Sequence, residues 1–297
     1  MELIQAITER KSIRAFKPDP VPKDLLGQIL EKALRAPSWA NTQPWQFAAV
    51  TGEPLDQIRK GFLEKLAEEP HPDIARPYAF PDPYLSRINA LPSRNPPPTQ
   101  EDMDLRRVLN YRHYGAPAVL YLLVDRSFVY QSGGINVWSL YDCGAVVQNI
   151  MLLATSHGLG TIAQAQAVVY PEVIRGVIGI PDSRLIALGI AIGYPDLDHP
   201  LNQPRTAREP LDEVAAWYGF QGSGDDSGLA TVPHEPADRI WAALSGMREK
   251  EFIDAFNRMK EVKRREVAEY VLTQCNVFSG NAMIFSGRYD EASALME

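Results

Sequence analysis

Cysteine is scarce: a chain of 297 residues carries only Cys143 and Cys275. They form no C-x-x-C pair, which excludes a local dithiol couple or zinc knuckle, and a chain this long can bury a core without disulfides. Histidine is nearly as sparse. His71, His113, His157, His199 and His234 lie scattered without ligand spacing, so a metal site is not expected. Positive charge is in deficit as well, and the net charge of −7 removes the overall attraction that nonspecific nucleic-acid binding needs. The opening MELIQAITERKSIRAF has no long apolar stretch behind a charged start, and no later run reads as long and apolar enough to span a bilayer. The expectation is a cytoplasmic protein in a reducing compartment. Two catalytic classes also lack their signatures. Gly158-Leu159-Gly160 has neither the third glycine nor the preceding strand of a dinucleotide fingerprint, and there is no G-x-S-x-G elbow or defensible Ser/His/Asp or Cys/His set.

What is present reads as α+β. Leu3, Ile4 and Ile7 recur at helical spacing before Arg10, and Pro22 opens a second helix with an apolar stripe of Leu25, Leu26, Ile29, Leu30, Ala33 and Leu34. Both helices are expected to be amphipathic and packed. WQFAAV at 45–50, AVLYLLV at 118–124 and LIALGIAIG at 185–193 read as buried strands. Between the last two, 136–157 is long, apolar on most faces and free of proline, which predicts a helix in a core or interface. Nine prolines in 70–98 forbid a continuous helix and predict an irregular excursion, a candidate lid. Pro210 to Phe220 predicts a short helix, and GFQGSGDDSG at 219–228 a flexible linker. The domains are therefore set at 1–220, a linker at 221–228, and a charged helical extension at 229–297 with Ile240, Trp241, Leu244, Phe252, Ile253 and Phe256 as apolar anchors.

Two segments bring chemistry. Arg10-Lys11-Ser12-Ile13-Arg14 gathers three cations and a hydroxyl at the predicted end of the first helix, a set that matches a phosphate monoester through bidentate guanidinium bonds and one hydroxyl donor. The same residues also make an ordinary basic last turn facing the helix dipole. Pro37-Ser38-Trp39-Ala40-Asn41-Thr42-Gln43-Pro44-Trp45 is stiffened by two inner-flank prolines and offers fixed amides with flat apolar cover, as a polar-edged aromatic ring requires. A plain helix stop followed by a strand start reads equally well there.

Taken together, R-x-S-x-R followed by P-S-x-x-N-x-Q-P-W resembles the start of the nitroreductase family. The resemblance runs through Asn110-Tyr111-Arg112-His113-Tyr114-Gly115-Ala116-Pro117, Gln148-Asn149, Gly158-Leu159-Gly160-Thr161, Gly193-Tyr194-Pro195 and Arg205-Thr206-Ala207-Arg208-Glu209-Pro210-Leu211, covering about residues 1–220. IAQAQAV and the late R-x-x-R-E-P-L look closest to the nitrobenzoate-reductase-like branch. The resemblance implies a mainly antiparallel sheet flanked by helices, in an intertwined homodimer with FMN at the subunit interface. It implies that Arg10, Ser12, Arg14 and Arg208 hold the FMN phosphate and ribityl chain, with Lys11 and Arg205 assisting. Ser38, Trp39, Asn41 and Gln43 would reach the ring from the neighbouring subunit, Asn110 would meet the pyrimidine side, and Ala165 and Gln166 would supply backbone N–H groups near N5 and O4. Many relatives carry a Glu there, which this chain lacks; a main-chain contact tolerates Ala, whereas a mechanism needing that carboxylate would not.

The implied activity is hydride transfer from NADH or NADPH to the flavin and then to a nitroaromatic acceptor, with the flavin rather than a protein acid carrying the chemistry. Another flavin reductase or dehydrogenase on the same scaffold stays open as an alternative. So does a non-enzymatic flavin-binding protein whose extension recruits a partner. No nucleic-acid or membrane partner is expected.

Overall fold

The computed structural model describes residues 1–218, apart from 76, 78, 79, 95, 132 and 133. Backbone contacts divide the chain into a unit Met1–Thr206 and a unit Ala207–Glu297. The first unit opens with helices α1 (Leu3–Glu9) and α2 (Lys23–Ala33), then strand β1 (Trp45–Thr51) and helix α3 (Gly52–Glu64). Helices α4 (Tyr84–Asn89) and α5 (Gln100–Tyr111) precede strand β2 (Ala118–Asp125), the short α6 (Arg126–Val129) and a small hairpin of β3 (Tyr130–Gln131) and β4 (Gly134–Ile135). The long helix α7 (Val137–Ser156), strand β5 (Gly160–Gln164), helix α8 (Pro171–Ile178) and strand β6 (Arg184–Gly193) complete it.

The main sheet has the order β1-β2-β6-β5, and every pairing in it is antiparallel. Strand β2 lies in the middle and is buried over Ala118–Val124, so its apolar residues do not alternate with polar ones. Both of its faces are covered. Leu120, Leu122 and Val124 pack with Ile190 and Ile192 beneath α2 and α7, while Val119, Tyr121 and Leu123 pack with Ile162, Ile186 and the α3 residues Leu55, Ile58 and Phe62 on the other side. Successive side chains of a strand point to opposite faces, and the two cores follow that period of two. Burial of such side chains contributes about 1.5–3 kcal/mol each, which makes this three-layer core the main stabilising element of the first unit.

The three expected strands and the two stripe-bearing helices are present, and the predicted 136–157 helix is α7. It is capped by Asn136, whose side chain accepts from the Trp138 N–H at 3.2 Å. Several expectations need correction. Helix α1 is amphipathic but not packed on its apolar side: Leu3, Ile4 and Ile7 are exposed, Ile4 by 77 %. Among the described residues one helix is long and apolar enough to cross a membrane, α7, with 20 residues and a mean hydropathy of 1.3. Its Cys143, Val146, Val147, Ile150 and Ala154 are buried against the sheet, so core packing accounts for that composition. The proline-rich excursion contains a single-turn helix, α4, and α5 follows behind a Thr99/Asp102 capping box.

The excursion is also pinned at its start. Arg175 grips the buried Asp73 carboxylate with bonds of 2.7 and 3.2 Å, and the Ile186 N–H donates to it at 2.7 Å. In the second unit the expected 210–220 helix is reduced to α9 (Leu211–Val214), because Ala215 turns extended at φ −137°. The predicted linker and helical extension lie outside the described residues.

Candidate functional site

The basic segment after α1 is laid against the edge strand of the sheet. Ser12 bridges Thr161 of β5 in the parallel sense, and the Ile13 N–H donates to the Thr161 carbonyl at 3.0 Å. Further on, Phe16 bridges Pro195 and the Lys17 N–H reaches the Tyr194 carbonyl at 2.8 Å. This approach is possible because two positions facing each other across the β5–β6 ladder are glycine. A Cβ on Gly160 would sit 2.6 Å from Ile13 Cγ1, and one on Gly193 would sit 2.5 Å from Pro117 Cδ.

Asn202, buried and far away in sequence, fixes the segment's backbone. It accepts from the Arg14 N–H at 2.6 Å and donates to the carbonyls of Ala15 and Asp196 at 2.8 and 2.7 Å. Lys11 Nζ donates to the Asn202 carbonyl, so this cation is used within the fold. Arg205 donates to the carbonyls of Thr8 and Glu9, both at 2.9 Å, and thereby closes the C-terminal end of α1 just before Arg10. The Arg14 side chain is exposed, Arg10 and Ser12 are half-buried, and Arg208 belongs to the second unit.

Strand β5 leads from this cradle to Asn110. Thr161 touches the basic segment, and Gln164 at the strand's other end donates to Asn110 Oδ1 at 3.2 Å. Three residues of strand cover about 10 Å, the scale of a short phosphorylated chain. Two buried polar atoms on β5 lack partners among the described residues: Thr161 Oγ1 and Gln164 Oε1. Buried polar groups are rarely left that way. Ala165 and Gln166 open the 3₁₀ turn Ala165–Val168 directly after the strand, and the first amides of such a turn have no partner inside it.

Asn110 is set by its neighbours. Its Nδ2 donates to the Arg106 carbonyl at 2.8 Å and to Tyr114 Oη at 2.9 Å. Tyr114 reaches that position through three consecutive left-handed residues, His113, Tyr114 and Gly115, with φ of 51°, 53° and 74°. Each non-glycine residue there costs about 1–2 kcal/mol. Burial of His113, bonded through Nε2 to Tyr121 Oη at 3.1 Å, offsets part of that strain. Burial also pushes the His113 pKa down to about 3, with the Arg59 charge adding to the effect, so the ring is neutral at ordinary pH.

The Ser38–Gln43 loop is held elsewhere. Ala40, Asn41 and Gln43 are all left-handed, at φ of 49°, 59° and 46°. The Gln43 N–H is bonded to Ser38 Oγ at 3.1 Å, and the Trp39 N–H to the buried Asp142 carboxylate of α7 at 3.0 Å. Trp39 packs on Trp138 with centroids 5.7 Å apart, and Trp138 on Tyr141 at 5.9 Å. None of the loop's hydrogen bonds among the described residues goes to the basic segment or to Asn110. The structure thus brings together Arg10, Lys11, Ser12, Arg14 and Arg205 around α1 and β5, with Asn110, Ala165 and Gln166 at the far end of β5. It leaves Ser38, Trp39, Asn41 and Gln43 as a separate outward-facing group.

Sequence reasoning missed Thr161, Gln164, Asn202 and Asp142 as site builders. Asp142, a lone carboxylate inside an apolar helix, carried a visible signal; Asn202 acts across 188 residues and carried none.

Basic side chains at one end and an amide pair at the other end of an edge strand, on a helix-covered antiparallel sheet, have the chemistry suited to an elongated anionic ligand. The chain belongs to the nitroreductase family, whose family model matches residues 7–194. A 4-nitrobenzoate reductase of Nocardioides sp. (strain LMS-CY) is 31 % identical over 230 residues, which span 71 % of this chain and 88 % of that protein. Nitroreductase NfnB of Mycolicibacterium smegmatis is 31 % identical over 217 residues, 70 % of this chain and 89 % of that one. Among solved structures, the FMN and NADPH-dependent nitroreductase NfnB from Sphigopyxis sp. strain HMH superposes with a TM-score of 0.65 at 32 % identity, covering 74 % of this chain and all of that chain. The family resemblance is borne out, and so is the expected antiparallel sheet flanked by helices.

Proposed function

We propose that this chain is an FMN-dependent NAD(P)H oxidoreductase that reduces nitroaromatic compounds, nitrobenzoate-like ones among them. The observation that carries the reading is β5 itself, which joins a phosphate-suited cradle to an amide pair. The residues fit FMN. Arg10, Ser12 and Arg14 have the chemistry to hold the phosphate and ribityl chain, while Lys11 and Arg205 hold the cradle's backbone in shape. Asn110 faces the pyrimidine side, and the Ala165 and Gln166 amides are donors for N5 and O4, so the missing Glu costs nothing.

FMN supplies the hydride acceptance and donation. The protein's part is to bind it, to place N–H donors where negative charge gathers on reduction, and to orient the acceptor. No side-chain acid need be spent on the hydride step.

We read the working form as a homodimer. Support comes from exposed apolar side chains: Leu3, Ile4 and Ile7 of α1, and the stacked group Trp39, Trp138 and Tyr141 with Val137 beside it at the start of α7. Apolar patches of this kind mark association surfaces. The same surface carries the Ser38–Gln43 loop, which a partner would receive over its own flavin. Residues 1–220 form the catalytic domain in this reading, 221–228 a linker and 229–297 an accessory extension, and the protein works in the cytoplasm. Truncation after Gly222 should leave dimer and flavin intact.

The test is an absorption spectrum of the purified protein, then anaerobic NADH or NADPH, then 4-nitrobenzoate. Flavin bands that bleach with the nicotinamide and return with the nitro compound are the expected result. Bands that return only with oxygen would move the search to other acceptors, and a colourless protein that FMN cannot reconstitute would refute the reading.

A further inference from the structure

Helix α3 and the turn that follows α5 line a pocket of about 460 Å³ that the flavin reading leaves unused. Asp56, Arg59, Lys60 and Glu64 line it from one face of α3, at the spacing of three and four that aligns side chains along a helix, and Arg112 and Gly115 line it from the turn. Both carboxylates are engaged. Asp56 accepts from Arg59 Nη1 at 2.9 Å, and Glu64 lies 3.9 Å from Lys60 Nζ. Arg59 also donates through Nη2 to the Ala116 carbonyl, which ties α3 to the turn. Arg112 differs from these. Its side chain is exposed and enters no hydrogen bond or ion pair among the described residues. The space over the turn is open as well, since a Cβ on Gly115 would meet nothing within 4 Å.

Charge balance selects the class of ligand. With Asp56 and Glu64 matched to Arg59 and Lys60, one positive charge is left over, on a guanidinium whose fork fits two oxygens of an anion. Lys60 is 79 % exposed and its contact with Glu64 is long, so its ammonium can turn to the same anion at small cost. Two recruitable cations favour a dianion, and Asp56 and Glu64 would keep it to the Arg112 side by repulsion. We propose that this pocket binds the phosphate group of a small molecule, gripped by Arg112, with Lys60 as the second cation and Arg59 fixing the wall. It is a second phosphate site, built from other residues than the Arg10–Arg14 cradle. Tyr114, which sits between the two lining residues of the turn, bonds Asn110, so the pocket and the amide pair share one turn. The phosphate can belong to a free phosphorylated compound or be the 2′-phosphate by which NADPH differs from NADH.

The test is an NMR titration of the full-length ¹⁵N-labelled protein with inorganic phosphate at constant ionic strength, following the amides of Lys60, Arg112 and Gly115. Their shifts should saturate with a Kd of about 1 mM or tighter, the scale of a few charge-assisted bonds. Arg112→Gln should weaken binding about tenfold, and Lys60→Gln about two- to threefold. Arg10→Gln, which strikes the cradle instead, should leave these shifts unchanged. NADH and NADPH then separate the two sources. Saturable shifts at Gly115 with NADPH and none with NADH assign the phosphate to the electron donor; a response to phosphate with neither nucleotide assigns it to a separate phosphorylated ligand. Shifts that never saturate, or an affinity that Arg112→Gln leaves intact, would overturn the site. The titration needs no flavin, so a failure of the FMN reading would show in the absorption spectrum and not here.

Discussion

Adding one methyl group at Gly160 is the most direct perturbation of the cradle. In Gly160→Ala the new Cβ would lie 2.6 Å from Ile13 Cγ1 and 3.0 Å from Ile13 Cβ. Carbon atoms rest about 3.5–4.0 Å apart, so the segment must retreat by roughly 1 Å. Because the clash is with a buried side chain next to its own backbone, the retreat stretches the Ile13–Thr161 hydrogen bond, now 3.0 Å. Overpacking of this kind costs about 1–3 kcal/mol, and in a domain of this size each kcal/mol lowers Tm by about 2–4 °C. FMN affinity should fall with it, since Ser12 and Arg14 ride on the displaced segment.

The assay is a cycle with Ile13→Ala, read by urea unfolding and FMN titration. Ile13→Ala alone should cost about 2–5 kcal/mol through the cavity it leaves. The double variant should be more stable than the sum of the single losses by at least about 1 kcal/mol, because each change relieves the other. Strictly additive losses, or Gly160→Ala with wild-type Tm and FMN affinity, would refute the close-approach argument.

His113 has a folded pKa near 3, below its usual 6.5, so the unfolded state binds the extra proton and stability should fall by about 1.4 kcal/mol per pH unit as pH drops from 6.5 towards 3. His113→Gln should remove that slope in urea unfolding curves. His71 is shifted the other way, raised first by its bond to the Glu69 carbonyl and then by Glu172, partly opposed by desolvation and Lys65. Its contribution should be complete below pH 6.5 and fade as pH rises through the folded value, and an NMR titration should show the His71 pKa falling in Glu172→Gln. Arg205→Lys cannot bridge two carbonyls as the guanidinium does, so it should destabilise the protein by about 1 kcal/mol in chemical unfolding and weaken FMN binding less than Arg10→Ala does. Asp142→Ala frees the Trp39 N–H and the strained loop above it; dimer dissociation measured by sedimentation should rise, with little change in the secondary structure seen by circular dichroism.

How much of this was legible in the sequence depended on the range of the interaction. Strands such as β2 declare themselves because burial on both faces leaves no charged residue over Ala118–Val124. Strand β5 does not: GTIAQ is short, begins with glycine and ends in polar Gln164, and it is a strand because β6 pairs with it. The motif residues were visible as a family pattern, but their division of labour was not. Arg205 and Lys11 look like phosphate ligands by charge, yet their donors go to Thr8, Glu9 and Asn202 carbonyls, contacts that arise only when the two ends of the first unit meet. The expectation of a packed α1 went astray for a related reason. An apolar stripe marks a face suited to being covered without fixing what covers it, and Leu3, Ile4 and Ile7 stay exposed in the single chain.

The placement of strain completes the argument. Left-handed non-glycine residues among those described fall in two loops, 40–43 and 113–114. Each loop is held by a buried group: Asp142 beneath the first, which the sequence reading passed over, and His113 within the second. Such conformations persist only where surroundings over-determine them, and they cluster where a ligand must be met by rigid groups. One loop sets Tyr114 against Asn110 and through it Gln164. The other sets Trp39 outward on the exposed apolar face. Among the described residues no hydrogen bond joins the two loops, which accords with the proposal that they serve a ligand from two chains. The homodimer proposed above would give the strained loops and the exposed helix α1 one account, with the first loop carried to the partner and the second kept beside Asn110.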